Sequence, residues 1–417
     1  MRTNSNPLLP YHEEKLASGF TLVHKDVPVA PIVALDFWIH TGAIHDPEPA
    51  LGLSHFYEHM FFKGTERFGV GEMDRIITSL GGYNNAATSL DYTHYYVVLP
   101  RAGWRDALEV MIDSLLNPQF DPEEIERERS VILEEIKRHE DNPWSKIYDE
   151  FIRAAFANSR YSRKVLGEEE TLHAINRDTF VQYRQERYCP ENATLCVVGD
   201  IRLEEITEAL NELLPQQPEE TFTEPDDEWR LIDAPQEVVL HRDVNQAYLL
   251  IGFPTPRTLG QRDEYALDLL GTLVGEGRSS RLYRRLQDEL GLVSSIGSTY
   301  WSLKYAGLFL IEAVTEPDKV EQVEAEINEV LKQIPETLGE DELKRVKSME
   351  HADYAFTNER IASIAQTYGF SRLTTNIDHA VDYLNRIDET SLDDIREAHA
   401  RHLQPNHRCR GLLLPKD

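Results

Sequence analysis

Two histidines and a glutamate within one helical turn give this chain its first chemical signal: His55-Phe56-Tyr57-Glu58-His59. On a helix, side chains four apart share a face, so His55 and His59 can grip a single cation. Glu58 sits beside them, placed to take a proton from water on that cation. The order is H-x-x-E-H, the reverse of the commoner H-E-x-x-H zinc helix. A catalytic zinc wants three protein ligands and one open position for water. Two neutral imidazoles leave room for a carboxylate as the third.

The candidates for that carboxylate lie on an acidic helix expected from Pro122 to about His139: Glu123, Glu124, Glu126, Glu128, Glu134, Glu135 and, just beyond, Glu140. Most belong to a charged helix face, and spacing alone does not choose among them. Glu128 and Glu135 lie one heptad apart on a common face, as a ligand and its supporting residue would. Asp121-Pro122-Glu123-Glu124 gives this helix an N-cap, a Pro at its first position and acids in its first turn.

The elements that must position these groups follow from the pattern around them. Strands are expected over 20–24 and 32–39, separated by a turn at Lys25-Asp26-Val27-Pro28. Pro47-Glu48-Pro49 breaks the chain before the histidine helix. A second helix over 72–80 stops at Gly81-Gly82, and strands over 83–89 and 92–99 are joined at Leu90-Asp91. From Arg105 to about Phe156 the pattern is helical, punctuated by Pro118, Pro122 and Pro143. A β-branched strand follows at 195–200. Pro, Glu, Asp and Thr then dominate an acidic stretch that reads as a solvated linker.

The second half echoes the first. Leu22-Val23-His24-Lys25-Asp26-Val27 is similar to Val239-Leu240-His241-Arg242-Asp243-Val244, and each leads through an apolar strand (32–39; 248–253) to a helix. The expected class is α+β, with two similar domains related by duplication, each a mostly antiparallel sheet packed with helices. The expected division is 1–215, a linker over 216–235, and 236–417. Only the first half holds the H-x-x-E-H motif.

At 417 residues, 41% hydrophobic and 28% charged, the chain fits a globular protein of two or more domains. Its net charge of −30 repels nucleic acid and anionic membranes. No apolar run approaches the roughly 20 residues of a membrane helix, and the first residues carry no secretory pattern. Cys189, Cys196 and Cys409 form no C-x-x-C pair, which fits a reducing compartment. The expectation is a cytoplasmic protein without a nucleic-acid or membrane partner. Gly275-Glu276-Gly277-Arg278-Ser279-Ser280 lacks the P-loop Lys and the full G-x-G-x-x-G spacing, so it reads as a loop before a helix.

Taken together, several segments resemble the pitrilysin-like inverzincin metallopeptidases, and most closely their processing-peptidase branch. They are Gly52-Leu53-Ser54-His55-Phe56-Tyr57-Glu58-His59-Met60, Lys63-Gly64-Thr65, Gly81-Gly82-Tyr83-Asn84-Asn85-Ala86-Ala87-Thr88-Ser89, Glu126-Arg127-Glu128-Arg129-Ser130-Val131-Ile132-Leu133-Glu134-Glu135-Ile136, and Arg187-Tyr188-Cys189-Pro190-Glu191-Asn192 before Val197-Val198-Gly199-Asp200. The likeness runs nearly end to end and is densest before residue 200. It implies peptide hydrolysis with one Zn²⁺ per chain. By this resemblance His55, His59 and Glu135 are the ligands, with Glu134 as the adjacent alternative. Glu128 supports the site, and Glu58 is the general base. Asn85, Ala86 and Ala87 match an edge strand on which an extended peptide substrate lies by main-chain pairing.

Family members that act alone carry an Arg and a Tyr in their C-terminal half, which bind substrate and the developing oxyanion. Here those positions fall on Gln287 and Ser294; Arg284 or Arg285 are the nearest substitutes. The resemblance therefore implies a heterodimer, in which a homologous zinc-less subunit supplies the Arg and Tyr and the two chains enclose a chamber. The alternatives are a homodimeric peptidase and a non-catalytic assembly subunit of the same fold.

Overall fold

The computed structural model describes residues 6–157, 159–214 and 231–416. The β-branched and aromatic runs form two mixed sheets. The first holds β1 (His12–Lys15), β2 (Thr21–Asp26), β3 (Ile32–Ile39), β4 (Tyr83–Thr88), β5 (Thr93–Pro100) and β6 (Ala193–Gly199), in the order β1-β2-β6-β3-β5-β4. Only β2 and β6 run parallel; the other neighbours are antiparallel. The second holds β7 (Gln236–Arg242), β8 (Ala247–Pro256), β9 (Val293–Ser302), β10 (Ala306–Thr315) and β11 (Cys409–Pro415), in the order β7-β11-β8-β10-β9. Here β7 and β11 are the parallel pair. With β1 set aside, both sheets read first, last, second, fourth and third strand. The sequence echo thus begins on β2 and β7, equivalent strands of two similar α+β domains.

The chain does not divide between these domains at a single point. One compact unit takes its described residues from 6–136, 163–214 and 355–381, the other from 137–162, 231–354 and 382–416. These units differ from the expected limits of 1–215 and 236–417 in two segments, 137–162 and 355–381. Helix Pro143–Ala155 packs on the second sheet, where the Phe151 ring fills the space over Gly252 and Gly411; a Cβ on Gly252 would come within 2.5 Å of that ring. Helix Ile361–Thr374 packs on β3 and β6, where a Cβ on Gly369 would come within 2.2 Å of Trp38. Contacts made through missing Cβ atoms leave no hydrophobic period in the sequence. The linker expected over 216–235 lies, up to residue 230, outside the described residues. Among the described residues no helix is long and apolar enough to cross a membrane.

In the first unit, Leu35, Phe37, Tyr95 and Val97 form one face of the sheet and share a core with Leu53, Phe56, Tyr57 and Met60 of the histidine helix. Burying each such large side chain stabilises by about 1.5–3 kcal/mol. The apolar face of that short helix is therefore fixed from behind, and its remaining face is left for chemistry.

Candidate metal centre

The histidine helix, Leu53–Phe61, starts at Gly52, whose φ of +92° suits glycine. Gly167 packs directly against this turn, close enough that a Cβ on Gly52 would meet its Cα at 2.8 Å. Asp46 caps the helix from outside. Its carboxylate accepts from Gly52 N–H at 2.8 Å, Ser54 N–H at 3.0 Å, Ser54 Oγ at 2.6 Å and Tyr183 OH at 3.2 Å. Burial pushes the Asp46 carboxyl up to about 6, and the hydrogen bonds from Ser54, Gly52 and Tyr183 oppose that rise. We expect Asp46→Ala to lower stability by about 1–3 kcal/mol, because buried donors then lose their acceptor. Urea unfolding of the zinc-free chain measures this, and an unchanged midpoint would remove Asp46 as the anchor.

Behind the motif, Tyr57 stacks on Tyr188 at 3.8 Å between ring centroids, and Phe56 meets Phe180 edge to face at 5.0 Å. These contacts set the rotation of the helix about its axis. The rings of His55 and His59 then lie 4.7 Å apart on the opposite face.

The acidic helix, Pro122–Asp141, brings Glu135 to this pair. Glu135 Oε2 lies 3.8 Å from His55 Nε2 and 3.7 Å from His59 Nε2. One ligand atom from each of the three residues falls within 4.8 Å of the others, which no other trio of His, Cys, Asp or Glu achieves among the described residues. Tetrahedral zinc with bonds of about 2.0–2.2 Å spaces its ligand atoms roughly 3.4 Å apart. The donor set therefore fits such an ion with a small inward movement. Burial, reinforced by the neighbouring His59, pushes the pKa of His55 down to about 3, so that imidazole is neutral, the form that binds metal. Glu134, the adjacent acid, is exposed.

Glu128 sits one heptad earlier, at the other end of the His59 ring. His59 Nδ1 lies 3.0 Å from Glu128 Oε2, and Lys63 Nζ lies 2.6 Å from Glu128 Oε1. Burial works against charge on Glu128, but the hydrogen bonds from His59 and Lys63 outweigh it and hold the carboxyl below its ordinary range. An ionised carboxylate only accepts, so His59 donates from Nδ1, and Nε2 is the ring nitrogen turned toward Glu135.

Glu58 is not one of the metal trio. Thr88 Oγ1 donates to its Oε2 at 2.6 Å. Burial raises the pKa of Glu58, and the bond from Thr88 opposes the rise. A carboxylate moved upward toward neutrality is better matched to exchanging protons with water. Thr88 was not singled out by its sequence. The only signal was its place at the end of the Asn-Ala-Ala-Thr run, which needed the pairing of β4 with β5 to acquire a direction.

Asn85, Ala86 and Ala87 lie on β4, which pairs with β5 and is the edge strand of its sheet. Asn85 and Ala87 are exposed, while Ala86 faces the core side. β4 also packs against the histidine helix. In the second unit, Gln287 lies in a π-helical segment, Tyr283–Glu289, and Ser294 lies on β9. The Ser294 hydroxyl is engaged by Gln246 and by the carbonyl of Val314. Arg285 pairs with Glu326 at 2.8 Å and with Glu289 at 3.2 Å, whereas Arg284 is exposed.

Residues 21–169 match the family model described as insulinase (peptidase family M16), and residues 174–350 match the model described as peptidase M16 inactive domain. The second label falls on the half that lacks the H-x-x-E-H motif. An uncharacterized zinc protease of Rickettsia bellii is 28% identical over 367 residues, covering 86% of each chain. The zinc protease YmxG of Bacillus subtilis, also uncharacterized, is 30% identical over 323 residues, or 75% of this chain and 76% of that one. The solved structure of a protease from Helicobacter pylori superposes with a TM-score of 0.92 at 24% identity, covering 97% of this chain and 99% of the other.

Proposed function

Since this chain belongs to the M16 (insulinase) peptidase family, we propose that it is the zinc-bearing half of a two-subunit peptidase, hydrolysing peptides or unfolded segments within a chamber. The reading is supported by one observation: one ligand atom each from His55, His59 and Glu135 lies within 4.8 Å of the others, close to the spacing of a single tetrahedral ion. These three residues would hold the metal. Bound there, Zn²⁺ supplies Lewis acidity to the scissile carbonyl and lowers the pKa of the attacking water toward about 7.

The chain's own residues do the rest. Glu58 takes the proton of the attacking water on one oxygen while Thr88 holds the other. It later returns that proton to the leaving amine. Glu128 orients His59 through Nδ1. The edge strand β4 offers the outer main-chain edge of Asn85, Ala86 and Ala87 to an extended substrate, which would displace the Asn85 Oδ1 that accepts from Ala86 N–H at 3.0 Å. A pleated strand at the sheet edge next to Glu58 would deliver a peptide bond within reach of the base.

The partner follows from the positions of Gln287 and Ser294. Glutamine carries no charge to stabilise an oxyanion, and serine is too short to replace a tyrosine. Arg285 is already committed to Glu326 and Glu289. The missing Arg and Tyr therefore belong on a homologous subunit without zinc.

The test is hydrolysis of a mixed quenched-peptide library by the purified chain alone, after its zinc content has been measured. We expect about one zinc per chain and no turnover without the second subunit. Turnover by the lone chain that disappears in Glu58→Gln would overturn the need for a partner while keeping the peptidase. A chain that takes up no zinc would overturn the metallopeptidase reading itself.

A further inference from the structure

We propose that Lys63 is a positioning residue of the metal centre, pinning Glu128 so that this carboxylate fixes the tautomer of His59. The inference rests on the zinc reading above. Lys63 lies just beyond the histidine helix, with its N–H still donating to Met60 O at 3.1 Å, and Gly64 at φ +89° turns the chain away immediately afterwards. From there the lysine stem reaches Glu128, with Nζ 2.6 Å from Oε1, while His59 Nδ1 lies 3.0 Å from Oε2. Each carboxylate oxygen has its own donor.

The last torsion of a glutamate is broad, so a carboxylate held at one oxygen only can swing. Held at both, Glu128 keeps Oε2 on Nδ1 of His59. The proton stays at Nδ1, and Nε2 stays turned toward Glu135, 3.7 Å away. His55 has no comparable support: its Nδ1 is buried without a hydrogen-bond partner among the described residues. Outer support of the two imidazoles therefore rests on the single line Lys63–Glu128–His59. An ordinary partly exposed ion pair adds little to stability. One that fixes a ligand's tautomer should show itself in zinc binding.

The experiment measures zinc dissociation constants of the full chain by competition with a chromophoric chelator. Lys63→Met, Lys63→Gln and Lys63→Arg are compared in the native and the Glu128→Gln backgrounds, with the thermal midpoint of each zinc-free protein as the folding check. Lys63→Met should weaken zinc binding by about 10–100-fold. Arg should restore most of that loss, and Gln, which keeps a neutral donor, should fall between. In the Glu128→Gln background Lys63→Met should add almost nothing, since both act through one bond. If Met fails to fold, the ordering of Arg and Gln carries the same test. Native affinity in Lys63→Met, or a loss that adds in full to that of Glu128→Gln, would overturn the proposal and leave the zinc site standing. A native chain that binds no zinc would overturn both.

Discussion

Glu58→Gln should give a folded chain with native zinc content whose turnover, measured in the active assembly, is lower by about 10²–10⁴-fold or more. Glutamine keeps the shape of the side chain, and its amide oxygen can still accept from Thr88 Oγ1, which now reaches Glu58 Oε2 at 2.6 Å. What it loses is the ability to take a proton from water and return it to the amine. Metal content should not follow activity, because Glu58 is outside the trio that converges near Glu135. Two measurements decide the matter: zinc per chain and kcat on a quenched peptide. Undiminished kcat would remove Glu58 as the base. A parallel loss of zinc would make it a ligand or a structural support instead.

His59→Ala carries the second large effect, this time on metal retention. It removes one ligand and also frees Glu128, so zinc affinity should fall by more than the 10–100-fold expected for an outer-sphere change. Glu135→Gln should also release zinc, by taking the charge out of the ligand set. Glu134→Gln, on the exposed face one residue away, should bind zinc as the native chain does. Thermal unfolding provides an independent reading, since a ligand at a thousand times its Kd stabilises by about 4 kcal/mol. A chelator should lower the midpoint of the native chain and leave that of His59→Ala where it is. If Glu134→Gln lost zinc and Glu135→Gln kept it, the third ligand would have to be reassigned.

The sequence was most informative where a short period met a barrier. The strand expected over 32–39 coincides with β3, and the strands expected over 83–89 and 92–99 become β4 and β5 within a residue at each end. Apolar alternation between glycine and proline stops is local information. The histidine pair on its helix is likewise local. The roles of Glu128 and Glu135 were not. Helix spacing places both on one face, but which meets Nδ1 and which meets Nε2 of His59 depends on how two helices cross. Only the resemblance separated them in sequence. Asp46 escaped, and Lys63 and Thr88 appeared only inside resembling segments without a role, for the same reason: each acts on a partner fixed by packing, and none sits in a period that marks it. β1, a four-residue strand with no apolar run, also gave no signal.

The crossing of helices Pro143–Ala155 and Ile361–Thr374 between the two units changes what a half of this protein would be. A fragment ending near residue 214 would carry Phe151 without Gly252 or Gly411 beneath it. Its own sheet would bare Trp38, stripped of the backbone that lies on it at Gly369. Such a fragment is an open clasp, prone to close on another copy or to aggregate. The same geometry bears on ancestry. If one unit was copied to make two, the original already gave away its helix and received one in return, as subunits of a swapped dimer do. Fusion of the genes would then have joined two chains that had already exchanged helices, so that each half of the sequence completes the layer over the other's sheet.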